Sequence, residues 1–170
     1  ARAVVCQDTE LAETLDALKE PPTLVITDSQ VFGKVQKVLP RDVPLTSFSI
    51  LFARYKGTLD TLIEGARVLG ELKDGDRVLI AEGCTHHRQC EDIGTVKIPG
   101  WIKSIIGAEP DFTWSSGNEF PENLGEYKLI IHCGACVMTE TAMKSRLERA
   151  KAAGVPVVNY GIAIASMHGI

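Results

Sequence analysis

Residues 77–86, RVLIAEGCTH, and residues 128–136, KLIIHCGAC, decide the fold. Each begins with a nearly continuous apolar run, and each run ends in glycine, cysteine and histidine. A run that is apolar on successive residues suits a strand covered on both faces, which is the condition of a parallel sheet. Two further β-like runs, 111–115 (DFTWS) and 155–160 (VPVVNY), complete a set of four. Helical spacing fills the intervals. Residues 58–72 place Leu59, Ile63, Ala66 and Leu69 on one face, and Asp74-Gly75 is a turn signal. Residues 98–106 carry Pro99 in the first turn and stop at Gly107. Residues 139–153 turn Met143, Leu147 and Ala150 inward and are followed by Gly154.

Toward the N-terminus the same alternation continues on a smaller scale. Residues 2–6 read as a strand with Cys6 in the core. A helix capped by Asp8 or Thr9 runs to Glu20 and is stopped by Pro21-Pro22. Residues 23–27 (TLVIT) form a second strand. A helix with Val31, Val35 and Val38 inward ends before Pro40, and residues 45–51 are a third apolar run. The pattern predicts an α/β protein of two small consecutive units, 1–52 and 53–170, each with a parallel sheet flanked by helices. The first unit is too small to bury much apolar surface alone, and its sheet edges need cover, so a homodimer through this unit is expected.

The chain has 170 residues and a mass of 18.5 kDa. Its 18 basic and 22 acidic residues leave a formal charge of −4, which argues against a nucleic-acid or membrane-surface binder. No run of apolar residues is long enough to span a bilayer. Five cysteines are an odd number for a disulfide framework, so a reducing, cytoplasmic setting is expected.

Four of those cysteines and three of the four histidines fall in two clusters. One is Cys84-Thr85-His86-His87 with Cys90 and Glu91 just after; the other is His132-Cys133-Gly134-Ala135-Cys136. Open parallel sheets place ligands at the carboxyl ends of their strands, and both clusters sit there. A Cys-x-x-Cys turn presents two thiolates to one centre, and Cys84 supplies a third. Three thiolates and a weaker fourth ligand suit either tetrahedral zinc or an iron–sulfur cluster. A dithiol oxidoreductase built on Cys133 and Cys136, with Cys136 opening a helix, is a third reading. The bland alternatives are buried thiols for the cysteines and loop residues for His86, His132 and Glu91.

Cys84-x-His86, a gap of 45 residues, then His132-Cys133-x-x-Cys136 resembles the C-x-H…H-C-x-x-C signature of the HydF family, the GTPase and scaffold proteins of FeFe-hydrogenase maturation. The resemblance extends through Glu82-Gly83-Cys84-Thr85-His86 and the closing Asn159-Tyr160-Gly161 segment. It implies a dimerisation domain over 1–52 and a cluster-binding domain over 53–170. It also implies a 4Fe–4S cluster on Cys84, Cys133 and Cys136, with an exchangeable fourth position open to His86, His132, Glu91 or water. The implied function is a scaffold that holds a di-iron precursor as transient cargo. The implied partners are two radical-enzyme maturases and the apo-hydrogenase. The chain departs from the family in carrying no G-x-x-x-x-G-K-[ST] phosphate loop, so GTP and its hydrolysis are assigned to a domain outside this sequence, and this fragment is expected not to be an enzyme.

Overall fold

The computed structural model describes residues 2–83 and 92–170. Among these residues, six strands and seven α-helices make two parallel sheets flanked by helices. The smaller sheet pairs β1 (Val25–Thr27) with β2 (Leu45–Ser47), in register Val25 to Leu45. Around it lie α1 (Leu11–Ala17) and α2 (Phe32–Val38). Residues 2–7 form no strand and are exposed, Cys6 included, which corrects the expectation of a core strand there. Adjacent valines favour a strand only when a partner strand accepts them. Val4 and Val5 meet none among the described residues, and Val5 is 95% exposed.

The larger sheet has the order β4-β3-β5-β6, built from β3 (Arg77–Ala81), β4 (Asp111–Ser115), β5 (Leu129–His132) and β6 (Val157–Asn159). All three of its neighbouring pairs are parallel. Every residue of β5 is buried, as are Val78, Leu79, Ile80 and Ala81 of β3. Each fully buried leucine or isoleucine contributes about 1.5–3 kcal/mol of transfer free energy. That burial is why the central runs carry no polar alternation.

Chain connections leave the two central strands in opposite directions. From β3 the chain passes through a helical stretch over 93–106, with α5 (Ile98–Trp101) at its middle, and reaches β4 on one side. From β5 it passes through α6 (Glu140–Ala152) to β6 on the other. The carboxyl ends of β3 and β5 therefore flank the switch point of a doubly wound sheet, where such folds leave a crevice for ligands.

Three helices close the molecule. α3 (Phe48–Tyr55) follows β2 directly, its first turn capped by Ser47 Oγ, which accepts from Ile50 N–H at 3.4 Å. The apolar run 45–51 is thus three residues of strand and then helix, and α3 continues through Ala53. α4 (Leu59–Ala66) packs on β6 so closely that a Cβ at Gly65 would lie 1.9 Å from the Val157 carbonyl oxygen. α7 (Tyr160–His168) begins where β6 ends, with Asn159 Oδ1 accepting from Ile162 N–H at 2.8 Å. No described helix is long and apolar enough to cross a membrane.

Candidate metal centre

The register places Ala81 of β3 beside His132 of β5 and Ser115 of β4. One residue further on, Cys133 N–H donates to Ala81 O at 2.8 Å and Glu82 N–H to Ser115 O at 2.9 Å. Beyond the last paired residues, Gly83 N–H donates to Cys133 Sγ at 3.1 Å. Ala135 N–H donates to the same sulfur at 3.4 Å. Cys133 is buried, and its sulfur accepts these two backbone N–H groups. A Cβ at Gly83 would lie 2.2 Å from Met138 Sδ, so a side chain there would have to displace the methionine side chain packed over the end of β3.

Between the cysteines the chain turns sharply. Ala135 has φ 51°, the only positive φ at a non-glycine residue among those described. A left-handed residue with a Cβ costs about 1 kcal/mol, so the surroundings must hold it. The holding group is Lys56, a buried lysine after α3, whose ammonium donates to the carbonyls of Ala135 and Met138. Gly134 rests against Ser49 at the start of α3, where an added Cβ would come within 3.0 Å of the serine Cβ. Asn159 Nδ2 ties down the same place, donating to Ser49 O at 3.1 Å. Cys136 is exposed and lies in the turn before Thr139, which caps α6 by accepting from Ala142 N–H. It does not open the helix.

His132 is fully buried. Its Nδ1–H donates to the Cys133 carbonyl at 2.9 Å, and its Nε2 accepts from Arg146 Nη1 at 2.9 Å. Burial holds its pKa down to about 4, and the Arg146 and Lys56 cations act in the same direction against the opposing pull of the Cys133 carbonyl. The ring is therefore neutral, with both nitrogens engaged in holding the loop. Arg146 also donates to Gly117 O and stacks over Phe120, so one guanidinium joins α6, the end of β5 and the segment after β4. Burial lowers its pKa, and the nearby Cys133 sulfur pulls it back up.

On the other side of the crevice Glu82 is buried and accepts from Tyr160 Oη at 3.3 Å. Burial and the Glu82 charge push the tyrosine pKa upward. Ser115 Oγ, at the same carboxyl edge, is buried with no hydrogen-bond partner among the described residues. Asp92 caps the helical stretch over 93–106, accepting from Gly94 and Thr95 N–H at 3.1 and 3.0 Å. Cys84, His86 and Glu91 lie between these anchors and outside the described residues, as do His87 and Cys90.

The hydrogen maturase F dimerization domain matches residues 1–57, and the hydrogen maturase F tetramerization domain matches residues 60–170. The chain belongs to the hydrogen maturase F family. No curated protein matches it. The two matches make self-association and a place in FeFe-hydrogenase maturation properties of this chain, and both matched domains are named for oligomerization. In this maturase chain, sequence reasoning singles out Cys133, Cys136 and His132 but not Lys56, Ser49 and Arg146, which hold their turn in place. Lysine and arginine in a charged chain look like surface groups, and only the fold shows these two buried.

Proposed function

We propose that this chain is the iron–sulfur scaffold portion of a hydrogen maturase, with Cys84, Cys133 and Cys136 holding a 4Fe–4S cluster at the switch point between β3 and β5. The observation that carries the reading is the Cys133 sulfur, buried at the crevice and accepting N–H bonds from Gly83 and Ala135. Thiolate sulfur bonded by backbone N–H groups is the donor chemistry of iron–sulfur sites, and such bonds tune the potential of the cluster. Cys136 is exposed on the same turn, and Cys84 follows Gly83 directly in the chain. When bound, the cluster supplies an iron with a weakly held position, which suits reversible carriage of a di-iron precursor on its way to the apo-hydrogenase.

The chain's own residues hold and shield this site. Gly83 and Ala135 direct N–H groups at the sulfur, while His132 and Arg146 fix the Cys133 carbonyl from behind. The fourth iron position falls to His86, Glu91 or a solvent molecule, all of which exchange more readily than a thiolate. His132 would have to give up the Arg146 bond at Nε2 to serve there.

Anaerobic reconstitution of the 170-residue chain with iron and sulfide tests the reading. Bound iron and sulfide in near-equal amounts with broad visible absorption are expected. Cys84→Ser, Cys133→Ser or Cys136→Ser should each lose most of the cluster, while Cys6→Ser, at an exposed site, should load as the wild type does. A colourless protein that binds zinc stoichiometrically would replace this reading with a structural zinc module.

A further inference from the structure

Lys56 is only 6% exposed, and among the described residues its charge meets carbonyls and a ring face and no carboxylate. Its ammonium bridges the carbonyls of Ala135 and Met138, one on each side of Cys136. The Phe52 ring lies 5.6 Å away. Among the described residues no carboxylate forms an ion pair with it. Lys56 and Cys133 line one small cavity, together with Thr58, Gly134 and Asn159. Carbonyl dipoles and a ring face solvate an ammonium but do not neutralise it, and buried charges are kept where an opposite charge meets them. The thiol groups of Cys133 and Cys136 are the groups on this turn that can carry that charge.

We propose that Lys56 is the latch and the counter-charge of the cysteine turn: a positioning residue through which segment 1–57 holds the turn closed and offsets the negative charge of the thiolate–metal group bound there. The latch half follows from the two carbonyl bonds. The counter-charge half rests on the iron–sulfur reading above.

Two measurements on the full 170-residue chain separate the halves. In metal-free protein, alkylation of the buried Cys133 by iodoacetamide, followed by peptide mass spectrometry, reports opening of the turn, with the exposed Cys136 as internal reference. Lys56→Met should raise the Cys133 rate about tenfold, the loss expected for hydrogen bonds from a charged donor, and Lys56→Arg should restore much of the protection. In reconstituted protein, Lys56→Met should lower the midpoint potential of the cluster. A tenfold change in the one-electron equilibrium would read as about 59 mV, with Lys56→Arg close to wild type. Where Lys56→Met does not fold, Lys56→Gln, a neutral donor, takes its place in both measurements. An unchanged Cys133 rate in a folded neutral variant overturns the latch, and an unchanged potential overturns the counter-charge. A wild-type chain that takes up no cluster overturns the iron–sulfur reading and the counter-charge with it, while the alkylation rates still decide the latch.

Discussion

His132 shows how a single residue ties the acid stability of the chain to the geometry of its cysteine loop. The ring is neutral because burial disfavours the imidazolium, and Arg146 already donates to the nitrogen that a proton would occupy. Its pKa falls from 6.5 in the unfolded chain to about 4 in the fold. Between those values the unfolded chain binds a proton that the folded one excludes, so stability declines as pH falls. The loss reaches about 3 kcal/mol near pH 4, and stability is fully present above the unfolded value. Urea unfolding of the metal-free chain should show this as a midpoint that drops steeply below neutrality. His132→Gln should start less stable and have a flatter profile in that window. Parallel profiles for the two proteins would assign the acid sensitivity to another group.

At the scale of elements, close approach between α4 and β6, and between α7 and α3, leaves no room for side chains. A methyl at Gly65 would strike the Val157 carbonyl, which the sheet fixes, so Gly65→Ala should destabilise by about 3 kcal/mol. At Gly161 the added Cβ would meet Ser49 Oγ at 2.0 Å, and a hydroxyl can rotate away. Gly161→Ala should therefore cost about 1 kcal/mol, and Ser49→Ala should recover part of it in a double-mutant cycle by urea titration. Additive effects would mean the two helices do not share this contact. The same elements show what the sequence makes legible. Continuous apolar runs reveal β3 and β5 because their burial on both faces leaves only one kind of residue acceptable. Helix α6 is plain from its spacing, from Thr139 at its start and from Gly154, at φ 71°, beyond its end. Helix α3 hides inside an apolar run, because Ser47 ends a strand and caps a helix at once. Helix α7 is buried along most of its length, so its GIAIA stretch carries no polar face from which a helical period could be read. The cysteine turn is visible in the spacing, but Lys56 lies 79 residues from the Ala135 carbonyl it holds, and no local pattern announces such a contact.

For the whole molecule, both matched domains point to association, and the first sheet offers a place for it. Strand β1 pairs only with β2, so its outer edge presents backbone donors and acceptors that no described residue takes up. Leu24 and Ile26, on either side of the register residue Val25, are 43% and 42% exposed. An unpaired edge lined with aliphatic groups is a template for another strand, and a lysine placed on such an edge resists pairing because its charge would have to be desolvated. The wild-type chain should therefore sediment above the mass of one 18.5 kDa chain at micromolar concentration. Ile26→Lys should shift it toward smaller species while leaving its circular dichroism unchanged, since residue 26 is 42% exposed and belongs to none of the buried apolar clusters of the described residues. A variant that sediments as the wild type does would move the interface away from β1 and toward other exposed apolar groups of segment 1–57, of which Phe48 and Tyr55 on α3 are the most exposed aromatic ones.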